Sequence, residues 1–194
     1  MARQVVLLDN CVWDLLMAKE VDLLVEQGED LSFRISDLGE IEIPDAEHER
    51  EKARAVGVYA RSQMARLGAE PVQWFSFAGD QESSRGTSGL GDLIPDGTIV
   101  GGGFLADLDG QAYSADSGLH KRVGGASGVA RTNSGLLKNQ TDVDYGEWSF
   151  GLPVVTANPK DFKNAGRIIR MDGWTSGGFG DFVRRELLKG AVGG

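Results

Sequence analysis

TDVDYGEWSFGLPVVTANPKDF, residues 141–162, packs a helix, a stop, a strand and a polar exit into one short stretch. Thr141 or Asp142 can cap the helix, Tyr145, Trp148 and Phe150 supply its inward side, and Gly151 ends it. Residues 152–156 then read as a short Val-rich strand that empties into Thr156, Asn158 and Asp161. Functional groups collect in this way at the carboxyl end of a strand in an open α/β sheet.

The beginning of the chain repeats the pattern. Residues 3–8 form an apolar run that stops on Asp9 and Asn10, within VVLLDNCVWDLL at 5–16. From Cys11 to Glu26 apolar residues recur at Val12, Leu15, Leu16, Leu23 and Leu24, the period of a helix packed on a sheet, and Gly28 stops it. LSFRIS at 31–36 reads as a second strand, and residues 37–43 as a helical turn broken by Pro44. Asp45 opens a long charged helix that runs to Gly68, with acids early and arginines late as the helix dipole prefers. Residues 71–77 and 166–171 supply further strands, and residues 181–189 a closing helix before the GAVGG tail. Strands alternating with helices predict a single domain over 1–194. Its sheet should be mostly parallel, in a Rossmann-like three-layer α/β/α sandwich.

Between Gly79 and Gly135 lie 14 of the chain's 28 glycines, with little helical periodicity. Residues 79–137 therefore read as a β-rich insertion, either hairpins such as GTIVGGGFLADLDGQAYSA or a mobile flap.

Composition narrows the function classes. Apolar residues make up 41% and charged residues 25%, as in ordinary soluble proteins. No apolar run approaches 18 residues and the first residues form no signal peptide, so a cytoplasmic location is the default expectation. The single cysteine, Cys11, rules out a disulfide framework and a CxxC zinc site, and reads as a packed, inert thiol. A formal charge of −9 argues against general attraction to nucleic acid. It is compatible with a carboxylate site whose field a divalent cation inverts.

The acids stand where such a site would. Asp9 and Asn10 follow the first strand, Ser36, Asp37, Glu40 and Glu42 the second, Asp142 and Asp144 open a helix, and Asp161 follows the fourth strand. Converging carboxylates repel without a cation, and hard oxygen donors suit Mg²⁺ or Mn²⁺.

Taken together, these motifs resemble the PIN domain nucleases, including VapC-like toxins of toxin–antitoxin pairs. The resemblance covers about residues 3–76 and 138–172, with residues 141–162 its most specific part. It implies a PIN-like fold and a metal-dependent endoribonuclease, with Asp9, Glu42, Asp142 and Asp161 as catalytic metal ligands. Glu42 is preferred because it stands six residues after Ser36, with Glu40 the fallback; Asp144 competes with Asp142. Asn10, Thr156 and Asn158 would face substrate or orient ligands. The resemblance also implies an RNA substrate, and leaves room for an antitoxin protein and a homodimer. Arg50, Arg54, Arg131, Lys138, Lys160 and Lys163 are the candidate rim cations.

Competing readings are weaker. A non-catalytic scaffold could act through the insertion. A phosphatase with Asp9 as nucleophile would want an acid at position 11, which is Cys11. DLDGQ at 107–111 lacks the rest of a calcium loop, and His48 and His120 are too isolated in sequence to suggest a zinc site. Trp13, Trp74 and Trp148 read as core; Trp174 is undecided.

Overall fold

The structure, a computed structural model, describes residues 3–75, 87–88, 92–93, 99–100 and 103–191. Four parallel strands form its centre: β1 (Gln4–Leu8), β2 (Leu31–Arg34), β7 (Val154–Thr156) and β8 (Ile168–Arg170), in the order β2-β1-β7-β8. Val6 pairs with Phe33, Leu8 with Val155, and Thr156 with Arg170. Val72 adds a parallel bridge to Ser36, its N–H donating to Ile35 O at 2.8 Å, so the chain continues the sheet beyond β2. The strand after Pro71 is shorter than expected, with β3 covering only Trp74–Phe75; residues 76–77 lie outside the described residues.

Side-chain alternation splits the core between the two faces, as strand geometry requires. Val6, Leu8 and Val155 join one cluster with Trp13, Leu16, Leu23, Met64, Phe179 and Phe182, from helices α1 (Trp13–Ala18), α2 (Leu23–Glu26), α4 (Glu51–Leu67) and α7 (Phe179–Ala191). Leu7 and Val154 face the other way, onto Tyr145 and Trp148 of α6 (Gln140–Trp148), with Trp74 and Phe162. Helices therefore cover both faces of a parallel sheet. Trp74 and Trp148 stack at 3.5 Å, and Trp74 Nε1 donates to Asp144 Oδ1 at 3.0 Å. Trp174 also belongs to the core, against Phe179 and Phe182.

Several expected elements are corrected. The helix predicted from Cys11 to Glu26 is three pieces: a 3-10 turn over Asn10–Val12, then α1, then α2. Glu20 adopts φ 51°, which no helix sustains, and Asp22 starts α2 afresh by accepting from Leu24 N. The helix expected from Asp45 begins at Glu51, because His48 N and Arg50 N are spent in turns on Asp45 O and His48 Nδ1. α6 is capped by Asn139 at φ 63°, ahead of Thr141 and Asp142.

The insertion is not purely β. Two short strands, β5 (Asp92–Leu93) and β6 (Ile99–Val100), do pair antiparallel, while β4 (Thr87–Ser88) runs parallel to β3. The DLDGQAYSA stretch is instead helix α5 (Leu108–Ala115), with Asp107 accepting from Asp109 N as its cap. Asp107 thus serves a helix rather than a calcium loop. α5 lies on α6 through two glycines: a Cβ on Gly110 would stand 2.8 Å from Glu147 O, and one on Gly146 2.5 Å from the Tyr113 ring. Further along, Arg131 and Leu137 form an antiparallel bridge, with Lys138 N donating to Ala130 O and Thr132 N to Leu136 O, both at 2.8 Å, a small hairpin of the kind expected. Residues 76–86, 89–91, 94–98 and 101–102, with the end of the GAVGG tail, lie outside the described residues. Among the described residues no helix is long and apolar enough to cross a membrane.

Candidate functional site

Strand order reverses beside β1, since β2 lies on one side and β7 on the other. The carboxyl ends of β1 and β7 therefore open a crevice at the switch point. Asp9 extends the β1 ladder into it, its N–H donating to Val155 O at 3.0 Å. Thr156, buried at the end of β7, donates to Asp9 Oδ2 at 2.7 Å and accepts from Asn158 N at 3.0 Å. Cys11 Sγ reaches the same Asp9 oxygen at 2.8 Å and lies 3.2 Å from Thr156 Oγ1. Burial pushes the Asp9 carboxyl above its ordinary range and Asp161 adds to the rise, against the hydrogen bonds of Cys11, Thr156 and the Asn10 backbone.

Glu42 arrives on α3 (Asp37–Glu42), whose first turn Ser36 caps by accepting from Gly39 N at 3.0 Å. Asn10 ties this helix to β1: its Nδ2 donates to Gly39 O at 3.0 Å and to Glu42 Oε2 at 3.3 Å. The Glu42 carboxyl is also raised by burial, and by Asp9, while Thr141 and Asn10 hold it down. Glu40 points to solvent, so of the two alternatives Glu42 faces the crevice. Likewise Asp144 is buried against Trp74, whereas Asp142 faces the other acids.

Asp142 is raised as well. Burial, then Asp161, Asp9 and Glu42, push its carboxyl up to about 7, and the Lys121 ammonium alone offsets them. Half-buried, it has no hydrogen bond or ion pair among the described residues. Asp161 sits differently: Oδ1 forms an ion pair with Lys121 and Oδ2 accepts from Asn158 Nδ2 at 2.7 Å.

The sequence-derived set is thus one electrostatic neighbourhood, with its polar members acting on the acids. Thr156 has its hydroxyl committed to Asp9 and Asn158 its amide to Asp161, so both position carboxylates in this conformation. Asn10 does the same for Glu42, and its own Oδ1 is buried with no hydrogen-bond partner. Lys121 went unseen in the sequence because its partner lies 40 residues on, across a Gly-rich segment without periodicity.

In kind, the donors fit a hard divalent cation: carboxylate oxygens, one of them unpaired, beside an orphaned amide oxygen. Their arrangement is not yet a coordination shell. Among the described residues, no three His, Cys, Asp or Glu side chains are gathered closely enough to hold an ion. Three of the acids are held by different neighbours, Asp9 by Thr156 and Cys11, Glu42 by Asn10, and Asp161 by Lys121, while Asp142 has none among the described residues.

Comparison with known proteins identifies nothing further. No protein-family model, curated protein or solved structure matches the chain.

Beside the acids opens a groove of about 330 Å³, lined by Asn10, Cys11 and Glu42. Trp13, Ile43, Val56 and Ala60 make its apolar side, with Arg50 and Lys52 on it as cations. Of the expected rim cations, Arg50 alone lines this groove; Arg54, Arg131, Lys138, Lys160 and Lys163 are exposed elsewhere on the surface. Cys11 is exposed as a residue rather than packed as expected. Its Sγ is nevertheless turned in onto Asp9 and Thr156, where loss of solvent and then the Asp9 charge push the thiol up to about 12, which disfavours the thiolate. His48 and His120 make separate local bonds, the latter to Lys121 O and Ser114 O.

Proposed function

We propose that the chain is a Mg²⁺- or Mn²⁺-dependent endoribonuclease with a PIN-like fold, hydrolysing RNA phosphodiester bonds at Asp9, Glu42, Asp142 and Asp161. The motif resemblance leaves room for an antitoxin protein as partner. One observation carries the reading: Asp142 is half-buried, unpaired among the described residues, and pushed up to about 7 first by burial and then by the charges of Asp161, Asp9 and Glu42. A structural carboxylate in that position would be paired, and one left among like charges costs stability unless a cation joins it.

When bound, a divalent ion supplies Lewis-acid activation of water and stabilises charge on the phosphate. Asp9, Glu42 and Asp142 would hold it, with Thr156 and Asn10 orienting the first two. The groove beside Asn10 admits the chain flanking the scissile bond, with Arg50 attracting phosphate, while Lys52 is paired at 2.9 Å with Asp14 on the same groove. Preference for RNA rests on the motif resemblance.

A second reading has its own support. The acids are spread among separate partners and Lys121 already neutralises one of them, as in a PIN-like scaffold that does no chemistry. Thermal melts with and without Mn²⁺ separate the two. A nuclease site predicts a rise in Tm for the wild type and little for Asp9→Asn or Asp142→Asn; a scaffold predicts no metal response in any of the three.

A further inference from the structure

Asn10 opens the 3-10 turn that leaves β1 and Trp13 closes it, so the two side chains fall on one side of the turn and line the same groove. Each carries a polar atom that the fold does not satisfy. Trp13 is only 1% exposed, yet its indole Nε1–H has no acceptor. Asn10 spends its Nδ2 on Gly39 O and Glu42 Oε2, while its Oδ1 has no donor. A buried donor and a buried acceptor left open are costly, and together they match a ligand edge that offers one acceptor and one donor.

The rest of the groove is apolar, with Ile43, Val56 and Ala60 buried along it. Its charged groups differ in their freedom. Lys52 and Asp14 pair with each other at 2.9 Å, whereas the exposed Arg50 guanidinium has no ion pair or hydrogen bond among the described residues. At about 330 Å³ the groove has the size of a small-ligand site. A base needs an apolar surface for its face and polar partners for its edge, and its phosphate needs a cation.

We propose that this groove is a nucleotide subsite, in which Trp13 Nε1–H and Asn10 Oδ1 meet the edge of one base and Arg50 holds the adjoining phosphate. Ile43, Val56 and Ala60 cover the face of the base. Naming RNA as the chain that supplies the nucleotide rests on the nuclease reading given above; the subsite itself needs no metal. Glu42 lines the same groove, so the bound nucleotide flanks the acids. Every nucleobase carries an acceptor next to a donor on its pairing edge. The Trp13 and Asn10 atoms therefore select a base against a bare sugar phosphate, and not one base against another.

Nuclear magnetic resonance of the full chain in the presence of chelator tests this apart from catalysis. The four tryptophans give separate indole N–H signals, and Trp13→Phe identifies the one from Trp13. The 5′-monophosphates of adenosine, guanosine, cytidine and uridine should each move that signal downfield, as an open N–H gains an acceptor. Ribose 5-phosphate should leave it in place. Arg50→Gln, at an exposed position, should weaken the nucleotides about tenfold, the lower end for a hydrogen bond to a charged group. Ala53→Leu, which fills the groove from a half-buried position, should abolish the shift in a protein still folded by circular dichroism. A Trp13 signal unmoved by every nucleotide, or moved equally by ribose 5-phosphate, overturns the subsite. If that protein still cleaves RNA with Mn²⁺, the nuclease reading stands. Nucleotide binding without cleavage overturns that reading and keeps the subsite.

Discussion

Thr156 gives its hydroxyl proton to Asp9 across the two central strands, at 2.7 Å, from a fully buried position. The bond steadies an acid that burial would otherwise push up further. Thr156→Val keeps the shape and removes the donor. It should cost about 1.5–3 kcal/mol of stability, as for a lost hydrogen bond to a charged group. Mn²⁺ affinity near pH 7 should fall with it. Denaturant melts and calorimetric titration measure the two effects, and unchanged Mn²⁺ affinity would remove Thr156 from the site.

Asp142 makes stability depend on pH in an unusual direction. Its folded-state carboxyl titrates near 7, above the ordinary value of 3.8, so the folded protein binds the extra proton across that interval. Stability in the absence of metal should therefore be highest at the acid end and decline as pH rises from about 4 through 7. Asp9 and Glu42, both raised, act in the same direction. Asp142→Asn should flatten part of the decline, gaining on the order of 2 kcal/mol at pH 8 after allowance for partial exposure, and little at pH 4. Metal affinity should show the reverse trend and strengthen up to pH 7, as the proton leaves. A stability profile identical for wild type and Asp142→Asn would contradict the assignment.

Gly39 sits in α3 with its Cα turned onto Tyr145, so an added Cβ would collide with the Tyr145 hydroxyl. Tyr145 is fully buried and its hydroxyl accepts from Ser36 N at 3.3 Å, leaving it little room to yield. Gly39→Ala should cost about 1–3 kcal/mol, the usual range for overpacking. It should also displace Glu42, one turn along the same helix, and weaken Mn²⁺ binding. Gly68→Ala, at a left-handed C-cap with open space around it, should cost about 1 kcal/mol and leave Mn²⁺ binding alone.

Cys11 should label slowly. With its thiol pushed up to about 12 by burial and Asp9, almost none is thiolate at pH 8. Iodoacetamide should alkylate the native protein far more slowly than the urea-unfolded chain, and the single cysteine makes the assay unambiguous. Fast native labelling would show that Sγ is not held by Asp9 and Thr156.

The strands of the sheet were legible because each is a short Val-, Leu- or Ile-rich run bounded by polar residues, as at Val6–Leu8 and Val154–Thr156. Asp9 and Asp142 stood out because each closes or opens such an element. The break at Glu20 was hidden, since the apolar period continues across it and only the left-handed φ interrupts the helix. α5 was hidden by composition: Gly110 and the surrounding glycines argue against a helix, yet Gly110 is what lets α5 close on α6. Lys121 left no local trace at all, because its meaning comes from Asn164 and Asn139 anchoring the chain on either side. Sequence periodicity reports elements that bury a face, and is silent about a side chain delivered by a loop.

The central claim is that the crevice acids cut RNA with a divalent ion. Incubating the purified chain with a mixed pool of single-stranded RNA and Mn²⁺ or Mg²⁺ tests it most directly. Asp9→Asn and Asp142→Asn serve as controls, shown to be folded by circular dichroism. The account predicts metal-dependent cleavage by the wild type, abolished by chelation and reduced at least a hundredfold in either variant, on the order expected for loss of a metal-holding carboxylate. Intact RNA with the wild type at every metal concentration, or equal cleavage by Asp142→Asn, would contradict it.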